Sequence, residues 1–127
     1  LVGVGTNWDW KMPHFMQRNA PGILEEERDC LAINGACFCL KRSLLPTLGL
    51  LDENYFFYFE ETDYCLNANY LGYRVVYCGK SLVYHDFNMN SARKAAISKY
   101  WKESSKYFNK KWGYNPSTRK VNKNKQM

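Results

Sequence analysis

Three carboxylates within four positions carry the clearest potential for chemistry in this sequence. Glu60, Glu61 and Asp63 directly follow an aromatic run at residues 55–59. Aromatic rings favour burial and carboxylates resist it, so the chain either leaves the core here or holds acids at the rim of a pocket. A carboxylate beside an apolar wall can take a proton from a substrate hydroxyl, which is general-base catalysis.

A short helix is expected to position these acids. Over residues 61–71, Tyr64, Ala68 and Leu71 recur on one face, and Gly72 stands where a C-terminal cap is expected. The acids then lie in the first turn, where the helix dipole favours negative charge. A purely structural interpretation is also open, in which the acids only begin the helix.

The rest of the chain alternates predicted strands and helices, which indicates an α/β fold. Strands are expected at residues 1–5, 73–77 and 82–85, and helices at 41–48 and 91–112. The first of these helices is expected to break or end near Pro46, and Ser91 is the expected N-cap of the second. Residues 113–127 are polar and basic and are expected to form a flexible tail.

Two tryptophans are candidates for substrate binding. Trp8 and Trp10 lie in a long stretch at residues 6–29 that is expected to be irregular. Loops of this length are often functional, and exposed aromatic rings there would suit stacking on sugar rings. The same rings could instead fold back over the core as a lid.

An apolar run at residues 30–40 is interrupted by Asn34, Gly35 and Ala36. Small residues within such a run let a ligand or another segment of backbone approach closely. These three positions are therefore further candidates for substrate binding.

The cysteines give little support for a metal centre. Five occur, an odd number without a regular framework, which indicates free thiols in a reducing compartment. Cys37 and Cys39 are expected to share one face of a strand, but only His14 and His85 could complete a zinc site with them. We therefore interpret these cysteines as core residues.

The net charge of +6 is concentrated at the C-terminal end of the chain. Residues 91–127 hold eleven Lys or Arg residues and one acid, whereas residues 1–90 hold seven basic and eleven acidic residues. Such a surplus favours an anionic partner, which could be nucleic acid, an anionic membrane or a phosphorylated ligand. A solvated helix face followed by a frayed tail would have the same composition.

Five segments occur in the order and spacing of family 2 glycosyltransferases. They are Asn34-Gly35-Ala36-Cys37-Phe38 with Lys41-Arg42, then residues 48–53, 56–65, 71–75 and 83–85. The resemblance covers roughly residues 1–112 and is nearest to the rhamnosyltransferase-like enzymes of bacterial surface polysaccharide biosynthesis. The Gln-x-x-Arg-Trp motif of processive members is absent, which favours addition of one sugar at a time.

This resemblance implies a GT-A type of α/β fold, with a mixed sheet and flanking helices. In that family the first half of the domain binds the nucleotide sugar and supplies an Asp-x-Asp metal site, and the second half binds the acceptor and supplies the base. Residues 1–112 resemble the second half, and no Asp-x-Asp motif occurs in the sequence. The nucleotide-binding half and a divalent cation, Mg²⁺ or Mn²⁺, are therefore expected to come from outside this chain, which alone is expected to be inactive.

The resemblance also implies roles for particular residues. The family's acidic pair is usually Glu-Asp with the Asp as base, and Glu61 stands at the position of that Asp, preceded by Glu60. Asp63 is expected to orient the base or to cap the helix. His85 matches a histidine that helps to hold the metal or the diphosphate in some members, and it is a candidate metal ligand.

The activity implied is inverting, non-processive transfer from a nucleotide-sugar donor to a hydroxyl of a glycan or lipid-linked acceptor. Its expected location is the cytoplasm or the inner face of the membrane. Two other functions are compatible with the sequence. One is a catalytically silent binding or regulatory module with the same fold. The other is a basic module for nucleic acid or a membrane surface, although the aromatic and cationic residues are not interleaved as stacking platforms.

Overall fold

The computed structural model describes residues 27–78, 80 and 90–113. Its elements in chain order are strand β1 (Glu27–Asp29), a 3₁₀ helix (Arg42–Leu44), and then helix α1 (Leu45–Leu48), helix α2 (Glu60–Tyr70), strand β2 (Val76–Cys78) and helix α3 (Ser91–Trp112). They divide into two compact units. The first holds the described residues of 27–51 and 61–80, and the second holds 52–60 and 90–113.

In the first unit, β1 and β2 form an antiparallel two-stranded sheet in which Arg28 lies opposite Tyr77. The prediction that residues 27–29 belong to an irregular loop is therefore wrong, and β2 begins three residues later than the strand expected at 73–77. Pairing with β2 outweighs the low strand propensity of three charged residues, which edge strands tolerate. The described residues contain only this pair, so the mixed sheet of a GT-A fold stays a prediction.

Helix α2 supplies one side of the core of the first unit. The buried core residues are Ala32, Ile33, Leu48, Tyr64, Cys65, Ala68 and Val75. The predicted helix at 61–71 is confirmed apart from its ends, but Leu71 is exposed because it lies beyond the last helical turn. Gly72 adopts a φ of 83°, and Tyr73 N–H donates to the carbonyl of Ala68 at 2.9 Å, which closes the helix in a Schellman cap as the glycine predicted.

Two further local predictions are wrong. Pro46 lies in the first turn of α1, where its missing N–H costs no hydrogen bond, so the helix runs through it to Leu48. Cys37 and Cys39 do not lie on a strand, because Asn34 and Gly35 turn the chain just before them. Cys37 is half-buried and Cys39 is exposed.

In the second unit, the segment 52–60 packs along one face of α3. The residues of α3 that are buried or half-buried on this face recur three or four apart, at Ile97, Tyr100, Ser104, Tyr107, Phe108 and Lys111. The predicted helix at 91–112 is confirmed, but its N-cap is Asn90. The side chain of Asn90 accepts a hydrogen bond from Arg93 N–H at 2.8 Å, and Ser91 is already the first helical residue.

Candidate functional site

The candidate base and the candidate acceptor-binding turn lie side by side in the first unit. A Cβ atom added to Gly35 would stand 3.6 Å from Cγ and 3.7 Å from Cδ of Glu61. An added methyl would make only ordinary van der Waals contact there, so Gly35 lies beside Glu61 with room for a small side chain between them. Glu61 is therefore the neighbour of this turn, but the approach is not so close that it requires a glycine.

The turn itself is held by Asn34. Its Oδ1 accepts a hydrogen bond from Ala36 N–H at 2.9 Å, and its carbonyl accepts one from Cys37 N–H at 3.4 Å. Asparagine favours this conformation because its short side chain can bond to backbone two residues ahead. Asn34, Gly35 and Ala36 are all exposed, so the turn presents a fixed polar surface beside Glu61.

A side-chain hydrogen bond joins helix α2 to the segment that precedes this turn. Nδ2 of Asn69 donates to the carbonyl of Leu31 at 2.9 Å and to the carbonyl of Cys65 at 3.1 Å. Ile33, which follows two residues later, is among the most buried side chains. One helix therefore carries Glu61 and also fixes the base of the turn that Glu61 contacts.

The Cys65 thiol, one helical turn beyond Glu61, is not a candidate nucleophile. The pKa of the Cys65 thiol is raised to about 12, mainly because the thiol is buried. A hydrogen bond with the backbone of Ile33 lowers this pKa, and the negative charges of Cys30 and Glu61 raise it. A thiol in this state stays protonated at neutral pH and is a weak nucleophile. Glu61 therefore stays the candidate for the base on this part of α2.

Asp63 is buried in the first unit, and Glu60 belongs to the second unit. Asp63 is 4% exposed and belongs to the interior of the first unit, so of the two alternatives for this run of acids, the one in which the chain leaves the core is wrong for Asp63. Glu60 ends the segment 52–60 of the second unit, and within the described part of the chain its Oε2 is buried without a hydrogen-bond partner. A carboxylate oxygen in that position favours a hydrogen-bond donor or a cation.

The aromatic run before Glu60 is only partly buried, contrary to expectation. Tyr55 and Phe59 are buried, whereas Phe56 is 77% exposed and Phe57 is 40% exposed. The ring of Phe59 packs on Phe108 of α3 at 5.0 Å between centroids. The two ends of the run are therefore buried against α3, whereas Phe56 and Phe57 between them remain exposed.

Two residues directly before Glu60 have left-handed backbone conformations. Tyr58 has a φ of 71° and Phe59 a φ of 70°. Such conformations cost bulky residues roughly 1–2 kcal/mol each, and surrounding contacts must hold them in place. Ser104 supplies one such contact, since its hydroxyl donates to the carbonyl of Phe57 at 2.7 Å.

A polar cluster at Asp52 anchors the start of the same segment. Its Oδ2 accepts a hydrogen bond from Lys111 Nζ at 2.6 Å and a second from the Tyr107 hydroxyl at 3.0 Å. Its Oδ1 accepts a hydrogen bond from Nδ2 of Asn54 at 2.7 Å. Burial alone would raise the pKa of the Asp52 carboxyl, but the hydrogen bonds from Lys111, Asn54 and Tyr107 hold it well below its ordinary value. Asp52 is therefore ionised at neutral pH.

The sequence interpretation missed this cluster. An Asp followed two residues later by Asn is typical of an Asx turn, and that signal was available at Asp52 and Asn54. Nothing in the local pattern indicated Lys111, which is 59 residues away along the chain. The remaining predicted site residues, Trp8, Trp10 and His85, lie outside the described residues.

Metal binding finds no support within the described ranges. No group of three or more His, Cys, Asp or Glu side chains there could hold an ion. A cleft of about 210 Å³ opens in the first unit, but apolar side chains such as Phe38, Leu44 and Tyr73 line it, and none of the candidate site residues does so. The divalent cation stays an expectation from the resemblance.

No helix in the described part of the chain combines the length and the apolar character needed to cross a bilayer. A scan against protein-family models, a search of curated proteins and a search of solved structures each find no match for this chain.

Proposed function

We propose that this chain is the acceptor side of an inverting glycosyltransferase similar to family 2, with Glu61 as the general base. The observation that carries the proposal is the position of Glu61 beside the turn at Gly35, where an added Cβ would lie 3.6 Å from Cγ of Glu61. A carboxylate therefore lies near an exposed polar turn that could hold an acceptor. The two positions come from distant parts of the sequence, and both belong to segments that resemble the family.

The proposed chemistry uses few groups of this chain. The acceptor hydroxyl donates a hydrogen bond to the Glu61 carboxylate, and its oxygen attacks the anomeric carbon of the donor sugar. The proton passes to Glu61 as the new bond forms, and the nucleoside diphosphate leaves from the opposite face. A divalent cation held outside the described residues would neutralise the charge of the leaving group.

The other residues of the turn orient the acceptor. Oδ1 of Asn34 is engaged by Ala36 N–H, so its side-chain amide N–H groups are the part that can donate to acceptor oxygens. Gly35 has no side chain to occupy the space beside Glu61. Glu60 influences the local field without taking the proton.

Product analysis tests this proposal. A protein that contains this chain together with a nucleotide-sugar-binding part is incubated with Mg²⁺ or Mn²⁺, a panel of nucleotide sugars and glycan or lipid-linked acceptors. We expect one nucleoside diphosphate released for each sugar transferred, with inverted anomeric configuration by NMR. Retained configuration would contradict the mechanism. Absence of transfer by the folded protein with every donor would favour the catalytically silent module.

The isolated 127-residue chain provides a second test. It lacks an Asp-x-Asp motif, so we expect no transfer and only weak binding of nucleotide sugars by calorimetry. Micromolar affinity for any donor would contradict the assignment of this chain to the acceptor side alone.

A further inference from the structure

Four lysines form a stripe along α3, here called the lysine stripe and defined as Lys99, Lys102, Lys106 and Lys110. They are three or four residues apart, so they project from one face of the helix over about 16 Å. All four are exposed, and none forms an ion pair with the residues that the structure describes. Glu103, the one acid of the helix, is also exposed on this face, four residues after Lys99 and three before Lys106, so four lysines and one acid leave the face with a net positive charge.

The lysine stripe is separate from the face that packs on the segment 52–60. That packing face carries Ser104 and Phe108, which lie on the opposite side of the helix from Lys99 and Lys106. Lys111 belongs to the packing face and pairs with Asp52. The stripe lysines therefore have no role in holding the second unit together.

An exposed aromatic ring borders the lysine stripe. Phe56 is 77% exposed, and its ring lies 4.6 Å from that of Tyr100. Nζ of Lys99 lies 6.0 Å from the centroid of the same Tyr100 ring. Phe56 and Lys99 thus both approach the ring of Tyr100, which places Phe56 at the edge of the packing face that is nearest to Lys99.

We propose that this surface docks on an anionic membrane, with the lysine stripe on lipid phosphates and Phe56 inserted at the interface. Each lysine near an anionic bilayer adds attraction, and an exposed aromatic ring adds apolar burial. Nucleic acid is less favoured, because the stripe holds only lysines and Phe56 is a single ring rather than a row of stacking platforms. The proposal does not depend on transferase activity.

Flotation of the whole chain with lipid vesicles tests the proposed docking on an anionic membrane. We expect binding to phosphatidylcholine vesicles that contain about one-quarter phosphatidylglycerol, and no binding to pure phosphatidylcholine. Reversing the four stripe lysines to Glu should lower the partition coefficient at least about 100-fold. A matched variant reverses the exposed residues Lys41, Arg42, Lys80 and Lys94 to Glu, which changes the net charge equally, and it should bind within about threefold of the wild type.

Substitution of Phe56 separates the membrane from nucleic acid. Phe56→Ser should weaken vesicle binding about tenfold, whereas Phe56→Leu should stay within about threefold, since insertion needs apolar area and not a ring. Equal losses in both variants, together with salt-sensitive binding to single-stranded nucleic acid, would overturn the proposal in favour of base stacking.

Other outcomes also overturn the membrane proposal. Absence of wild-type binding to anionic vesicles would identify the lysine stripe as an ordinary solvated face. Equal losses in the stripe variant and in its charge-matched control would show that net charge alone matters. Circular dichroism must show intact helix in each variant, and replacing the four lysines with Gln provides a milder version of the same test.

Discussion

The first unit packs small and aliphatic side chains around α2, whereas the second packs aromatic rings against α3. Close packing of residues such as Ile33 and Val75 fixes the positions of the elements that carry Glu61 and the turn at Gly35. Flat rings leave edges and faces at the surface, as Phe56 and Trp101 do. The difference indicates that the first unit is suited to holding a reactive group and the second to contacting a large partner.

The largest expected effect is on Phe108, which is fully buried beneath Phe59 in the second unit. Phe108→Ala should lower the free energy of unfolding by about 3–5 kcal/mol, because it removes the central ring of the aromatic packing. Hydrogen exchange should accelerate most in α3. The milder Ile33→Val in the first unit should cost about 0.5–1.5 kcal/mol. If hydrogen exchange accelerated equally in α2 and α3 after Phe108→Ala, the two units would unfold as one cooperative unit, and the contrast between them would be contradicted.

The next effect concerns the ionised cluster of the second unit. Asp52→Asn should lower the free energy of unfolding by about 1–3 kcal/mol at neutral pH, because it weakens the charged hydrogen bonds from Lys111 and Tyr107. The pKa of Asp52 is lower in the folded protein than its ordinary value. Its stabilising contribution is therefore complete above that ordinary value and declines as the pH falls below about 4.

Denaturant titrations at several pH values, from neutral to below pH 4, test the predicted direction of this pH dependence. The difference in free energy of unfolding between the wild type and Asp52→Asn should shrink in acid. The matched control is Glu53→Gln, the exposed neighbouring carboxylate, which should change the free energy of unfolding by less than about 0.5 kcal/mol. A difference that grows below pH 4 would contradict the ion pair as described.

The smallest stability effect concerns two glycines of the first unit. Gly72 adopts a φ of 83° with no atom near the position of a Cβ, so Gly72→Ala should cost roughly 1–2 kcal/mol through the backbone alone. Gly35→Ala should have little effect on stability, because its new methyl makes only ordinary contact with Glu61. Chemical denaturation measures both. A larger loss from Gly35→Ala than from Gly72→Ala would show that the turn beside Glu61 is packed more tightly than described.

Periodic and capping signals were sufficient to predict α2, α3 and the turn at Gly72, since these depend on residues within a few positions of one another. The proximity of Glu61 to Gly35 was not predicted, because the two residues are 26 positions apart in the sequence. No local rule joins positions at that separation.

The failures have a common physical cause. The strand at Glu27–Asp29 and the ion pair of Asp52 with Lys111 depend on partners from distant parts of the chain. At Glu27–Asp29, pairing with β2 outweighs the low strand propensity of the residues. The ion pair could not be predicted because nothing in the sequence distinguishes Lys111 from the other lysines of α3. The partial burial of the run at 55–59 also depends on α3, which buries only the rings at its two ends, Tyr55 and Phe59.

The rate of transfer by Glu61→Gln, measured in an active enzyme that contains this chain, tests the central claim most directly. The substitution keeps the size of the side chain beside Gly35 and removes its ability to take a proton. We expect turnover to fall on the order of 10²–10⁴-fold with donor binding little changed. Glu61→Asp should retain activity, and Glu60→Gln should reduce it much less than Glu61→Gln. A folded Glu61→Gln enzyme that turns over near the wild-type rate would contradict the assignment of Glu61 as the base.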